Sequence, residues 1–95
     1  MNTSDHVHQR IVAIVTRVAG PGRTPEEVGA GTKLADGFWL DSIEMLDVVI
    51  ACELEFGIVF NESQDLTPAA LETIGTLTAL VERRLAGESA VDPQM

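Results

Sequence analysis

Few side chains in this 95-residue chain could do chemistry, and they are thinly spread. Ser42 follows Asp41 ahead of an apolar run, Cys52 is the only cysteine, and His6 and His8 are the only histidines. A serine nucleophile needs a base within hydrogen-bond reach. Both histidines lie near the N-terminus, and no Gly-x-Ser-x-Gly elbow surrounds Ser42, so a serine hydrolase has no support. A single cysteine excludes an internal disulfide framework and a cysteine-based zinc cluster, and no metal site is expected. Cys52 reads as a small buried hydrophobe, and His6 and His8 as surface residues of a first helix. Taken alone, Asp41-Ser42 is a plain N-cap pair.

Composition narrows the partners. Fifteen acidic residues against six basic ones give a formal charge of -9, the wrong sign for neutralising nucleic-acid phosphates or docking on anionic lipid. Lys33 and Arg83 bound a stretch with no Lys or Arg, which holds Asp36, Asp41, Glu44, Asp47, Glu53, Glu55, Glu62, Asp65, Glu72 and Glu82. Pairs within that stretch cannot neutralise it. A hydrophobic content of 45% is enough to fold. No run of 18 apolar residues exists, and the N-terminus lacks a basic region followed by an apolar one. The expectation is one soluble, cytoplasmic, monomeric domain over residues 1–95, ordered about 5–86, with a flexible tail over 87–95. It is too small to house most enzyme active sites.

The elements that position Ser42 follow from periodicity. Val7, Ile11, Ile14, Val15 and Val18 predict an amphipathic helix over about Asp5 to Val18, capped by Ser4 or Asp5 and stopped at Gly20-Pro21-Gly22. A long loop runs from about Ala19 to Leu40, pinned by Leu34, Phe38 and Leu40, with a turn starting at Thr24-Pro25. A second helix spans about Ser42 to Phe56 and ends at Gly57. Thr67-Pro68 opens a short helical turn to about Leu71. Thr73 caps a last helix from Ile74 to about Leu85, with Ile74, Leu77, Val81 and Leu85 on one stripe and Gly87 as its stop. The fold class is all-α: three main helices, one short helix and a long first loop.

The second helix is apolar on two sides. At 100° per residue, Met45, Val48, Val49, Cys52 and Phe56 share the core face. Ile43, Leu46, Ile50 and Leu54 cluster opposite, interleaved with Asp47 and flanked by Glu44, Glu55 and Glu53. Full burial of such a helix is hard in so short a chain. Either the long loop covers the second stripe or the stripe is a binding face for a partner with an apolar groove and a basic rim.

The segment Leu40-Asp41-Ser42-Ile43-Glu44-Met45-Leu46 resembles the Asp-Ser-Leu signature of acyl carrier proteins, with Ile in place of Leu. The helix closes as Glu53-Leu54-Glu55-Phe56-Gly57-Ile58, similar to the family's Glu-rich segment before Phe. Leu71-Glu72-Thr73-Ile74-Gly75-Thr76-Leu77 is similar to its Ile-Thr-Thr-Val segment. The resemblance covers about Asp5 to Leu85 and implies a four-helix carrier bundle of the stand-alone type.

That resemblance implies a 4′-phosphopantetheine arm on Ser42, installed from coenzyme A by a phosphopantetheinyl transferase that uses magnesium. The arm would carry acyl groups as thioesters to partner enzymes, and the chain itself would not be an enzyme. Asp41 would cap the helix start and contribute to transferase recognition. Ile43, Leu46 and Ile50 fall where carriers place apolar partner contacts, and Glu44, Asp47 and Glu53 where they place acidic ones. The partners implied are ketosynthase- or acyltransferase-type enzymes with basic docking surfaces. Trp39 and Leu40 stand where the family commonly has Gly-Ala or Gly-hydrophobic. Trp39 is expected to plug the loop onto the core, or else to wall the arm's exit or contact an acyl chain. Leu54 replaces a glutamate usual in fatty-acid carriers. Both departures point to polyketide or other specialised biosynthesis, ahead of a fatty-acid or peptidyl carrier. An unmodified interaction domain is the alternative from another class.

Overall fold

The first helix, α1 (Thr3–Ala19), buries Val7, Ile11, Ile14, Val15 and Ala19 along one stripe. The computed structural model describes residues 3–87, with side chains from residue 6 onward; the expected flexible tail beyond Gly87 lies outside the described residues. Ser4 and Asp5, expected as caps, already lie inside this helix. Gly20 ends it with φ 85, a left-handed conformation that suits glycine, and its N–H donates to Thr16 O at 2.8 Å.

The chain then departs from expectation. Pro21–Arg23 forms a 3-10 turn with proline at its start, while Thr24 is extended and Glu26-Glu27 only bends. Thr24 Oγ1 donates back to Gly20 O at 3.1 Å, so it braces the preceding turn instead of capping a following one. The short helix of the fold is α2 (Leu34–Gly37), inside the loop. The predicted turn at Thr67 does form, closed by Leu71 N–H to Thr67 O at 3.1 Å and capped by Thr67 Oγ1, but it is one turn and not a helix.

Two longer helices complete the bundle, α3 (Ser42–Phe56) and α4 (Ile74–Leu85), with no strand among the described residues. α1 packs along both, and α3 and α4 touch each other less. Leu34, Phe38 and Leu40 are buried and pin the long loop, as their apolar character predicts. Main-chain bonds finish the attachment: Ile74 N–H to Thr32 O at 3.0 Å, Gly75 N–H to Ala30 O at 2.7 Å, and Leu34 N–H to Glu72 O at 3.0 Å. The loop thus satisfies the first two amides of α4, and Thr73 Oγ1 satisfies the third, Thr76 N–H, at 3.0 Å. So close an approach requires glycine at position 75, where a Cβ would stand 2.9 Å from Ala30 O. α4 buries Ile74, Leu77, Leu80 and Val81; Leu85, expected on that stripe, is 42% exposed because the last turn runs past the core.

Candidate functional site

Ser42 is the first residue of α3 and is exposed. Asp41 precedes it as N-cap with extended backbone, and its Oδ1 accepts from Glu44 N–H at 2.8 Å. Glu44 Oε1 accepts in return from Asp41 N–H at 3.1 Å, completing a reciprocal capping box. Met45 N–H reaches Asp41 O at 2.9 Å. The Ser42 and Ile43 amides, at the first two helical positions, have no acceptor among the described residues. An exposed hydroxyl therefore stands beside unpaired N–H groups at the positive end of a 15-residue helix.

An open cleft of about 410 Å³ adjoins this helix start, lined by Ala35, Leu40, Met45, Leu46, Val49, Leu66 and Leu71 together with Asp41 and Ser42. Its walls are mainly aliphatic. Leu40 belongs to it and Trp39 does not. Trp39 is 68% exposed with φ 58, which corrects the expectation that it plugs the loop onto the core. The left-handed backbone at Trp39 turns its side chain outward between Phe38 and Leu40, which point in.

α3 divides as its periodicity predicts. Val48, Val49 and Cys52 are buried, with Met45 and Phe56 half-buried against the core. Burial pushes the Cys52 thiol up to about 12, with Glu55 and Glu53 adding to the effect, so it is a packing group and not a thiolate. The opposite stripe is open to solvent: Ile43 is 72% exposed, Leu46 54%, Ile50 45% and Leu54 80%. The long loop does not cover it.

The acidic residues around that stripe are not equivalent. Glu53 is half-buried and its Oε2 accepts from Phe60 N–H at 2.9 Å, tying down the segment after α3. Glu55 is paired with Arg10 at 2.7 Å, and the Arg10 guanidinium also lies 4.6 Å above the Phe56 ring. Glu44 is held by Arg23, whose Nη1 donates to Glu44 Oε1 at 2.8 Å and whose Nη2 bonds Glu44 Oε2. That pairing, with the Asp41 N–H bond second, lowers the Glu44 carboxyl to about 2 from its ordinary 4.5. Of these four, Asp47 alone is exposed with no ion pair among the described residues. Cations from outside the basic-free stretch thus reach in to neutralise part of it.

Arg23 was not marked by any periodicity, since it lies in a turn. Two sequence signals point to it afterwards: it is the only cation between Arg17 and Lys33, and Asp41-x-x-Glu44 has capping-box spacing. His6 and His8 lie on α1, and no group of His, Cys, Asp and Glu able to hold a metal ion occurs among the described residues. No helix among them is long and apolar enough to cross a membrane. No family model, curated protein or solved structure matches this chain.

Proposed function

We propose that this chain is an acyl carrier protein, with Ser42 as the attachment point of a 4′-phosphopantetheine arm. The observation that carries the reading is the placement of Ser42: an exposed hydroxyl, first in α3, capped by Asp41 and lining an aliphatic cleft. The residues present fit the group. A phosphodiester on Ser42 Oγ has the free Ser42 and Ile43 amides and the helix dipole beside it. Leu40, Met45 and Leu46 offer an apolar wall next to the attachment atom. Attachment forms a bond from Ser42 Oγ to the β-phosphorus of coenzyme A and breaks the pyrophosphate bridge. 3′,5′-ADP leaves and the hydroxyl proton passes to a base of the magnesium-dependent transferase. When bound, the arm supplies a thiol that carries acyl groups as thioesters.

Partner recognition falls to the open stripe of Ile43, Leu46 and Ile50 with Asp47 beside it, which suits enzymes with an apolar groove and a basic rim. Glu44 and Glu53 contribute less free charge than their positions promise, since each is engaged within the domain. Leu54, 80% exposed, makes the face more apolar than a carboxylate there would, which supports a polyketide or other specialised pathway over fatty-acid synthesis.

Incubation with coenzyme A, Mg²⁺ and a broad-specificity phosphopantetheinyl transferase, followed by intact mass measurement, tests the reading. One phosphopantetheine increment is expected on the parent chain and none on Ser42→Ala. A folded parent chain that takes no increment is an unmodified interaction domain, and the carrier reading fails.

A further inference from the structure

Arg23 gathers three segments that are remote in sequence. Its Nε donates to Ala19 O at 2.9 Å, at the C-terminal end of α1. Its Nη1 donates to Trp39 O at 3.1 Å, in the segment leading to Ser42. Its Nη1 and Nη2 hold both oxygens of Glu44, in the first turn of α3. The first bond places a cation where α1 leaves unpaired carbonyls, which fixes the guanidinium against a rigid element. The third reaches Asp41, the residue before Ser42, because Glu44 Oε1 also accepts from Asp41 N–H and Asp41 Oδ1 accepts from Glu44 N–H. One planar side chain thereby connects the end of α1 to the two residues that set the start of α3.

Trp39 supplies an independent sign of constraint. Its φ of 58 is a conformation that a bulky side chain avoids unless its surroundings hold it. Buried Phe38 and Leu40 anchor it on both sides, and the Arg23 bond fixes its carbonyl between them. Neither Arg23 nor Glu44 belongs to the apolar core cluster, so the clamp lies outside it. What the clamp does fix is the approach of residues 38–41 to α3.

We infer that Arg23 is a positioning residue for the Ser42 hydroxyl, locking the preceding loop to the first turn of α3 so that Ser42 is presented in one register. The inference rests on the carrier reading of Ser42. Arginine is specific here: a lysine ammonium is a compact charge that can neutralise Glu44 but lacks the planar fork that reaches Ala19 O, Trp39 O and both Glu44 oxygens together. Without the clamp, Ser42 is competent for only part of the time, and the apparent rate of modification falls by that fraction.

The test compares the full chain with Arg23→Gln and Arg23→Lys under the transferase, coenzyme A and Mg²⁺. A fall of about tenfold in kcat/KM is expected for Arg23→Gln, with only partial recovery in Arg23→Lys. Two readouts do not depend on modification. Trp39 is the only tryptophan and tyrosine is absent, so fluorescence quenching by acrylamide reports the loop alone and is expected to change in Arg23→Gln. Amide exchange is expected to accelerate at Asp41 and Glu44 while Val48, Val49 and Cys52 stay protected. A parent chain that is modified, with kcat/KM, Trp39 quenching and Asp41 exchange all unchanged in Arg23→Gln, overturns the positioning role and leaves the carrier reading intact. Uniformly faster exchange along α3 also overturns it, because Arg23 then supports the helix as a whole. A parent chain that takes no increment overturns the carrier reading, and the role at Ser42 falls with it.

Discussion

If the open stripe of α3 docks partners as proposed, truncating Ile43 to alanine separates a docking residue from a packing one. Ile43 is 72% exposed, so roughly a quarter of its side chain is covered in the free domain. Full burial of such a side chain is worth about 1.5–3 kcal/mol, so Ile43→Ala is expected to cost the fold only about 0.5–1 kcal/mol. In a domain of this length that lowers Tm by roughly 2–8 °C. A partner that covers the exposed remainder forfeits about 1–2 kcal/mol, which is a roughly 5–30-fold loss of affinity. Leu77→Ala on α4 is the control: Leu77 is fully buried, and the substitution is expected to cost about 2–5 kcal/mol while leaving the docking stripe unchanged. Stability is read from urea unfolding followed by circular dichroism, and docking from the transferase KM for this chain, measured where each variant is fully folded. Ile43→Ala should raise KM with little loss of stability, and Leu77→Ala should do the reverse. An Ile43→Ala chain as destabilised as Leu77→Ala, or one with an unchanged KM, refutes the assignment of this stripe to partner docking.

Trp39→Gly and Phe38→Ala should diverge although the residues are neighbours. Glycine relieves a left-handed backbone worth about 1–2 kcal/mol and offsets most of the lost indole cover, so the urea midpoint gives a net change within about 1 kcal/mol. Phe38→Ala should cost about 3–5 kcal/mol. Asp47→Lys is expected to raise the transferase KM without moving Tm, whereas Glu44→Lys should lower Tm as well, because it sets two cations together at Arg23. Glu44 also shapes the acid limb. Its folded carboxyl is held at about 2, below the ordinary 4.5, so its contribution to stability is complete above pH 4.5 and is lost as pH falls towards 2. Glu44→Gln should flatten that part of a stability-against-pH curve, measured by urea midpoints at each pH.

Helix periodicity made the long elements legible. The stripes of α1 and α3 could be read because each spans several turns, and the second face of α3 because neither side of that helix is polar. Leu85 shares the direction of the core stripe of α4 yet stays exposed, because periodicity fixes a direction around the helix but not how far the core extends along it. The loop was legible only in its anchors. Leu34, Phe38 and Leu40 go inward as apolar residues should, but four residues of α2 form no pattern long enough to detect. Their helix is held from outside, by Leu34 N–H on Glu72 O and by the neighbouring bridge between Lys33 and Thr73. The outward turn of Trp39 is illegible for a related reason: burial of a tryptophan is a fair expectation from composition, and its reversal depends on a backbone angle that side-chain identity does not set. Ser42 and Asp41 were found where a helix start and a cap were expected.

The acidity of the chain becomes more selective in three dimensions. Arg10, Arg23 and Arg84 reach from outside the basic-free stretch to Glu55, Glu44 and Asp65, so three of its carboxylates hold the domain together. Arg84 also donates to Val59 O at 2.8 Å, which joins α4 to the segment following α3. Glu53 is withdrawn in the same way by Phe60 N–H. What remains beside the exposed Ile43, Leu46 and Ile50 is Asp47, at the edge of the stripe and without an ion pair among the described residues. A partner's cation meeting Asp47 displaces no internal contact, whereas one meeting Glu44 competes with Arg23 and loosens the segment that presents Ser42. On the proposed carrier reading, the same surface would separate docking from presentation: charge at Asp47 and apolar area at Ile43 would govern how strongly a partner binds, and the Arg23–Glu44 pair how Ser42 is offered once it has.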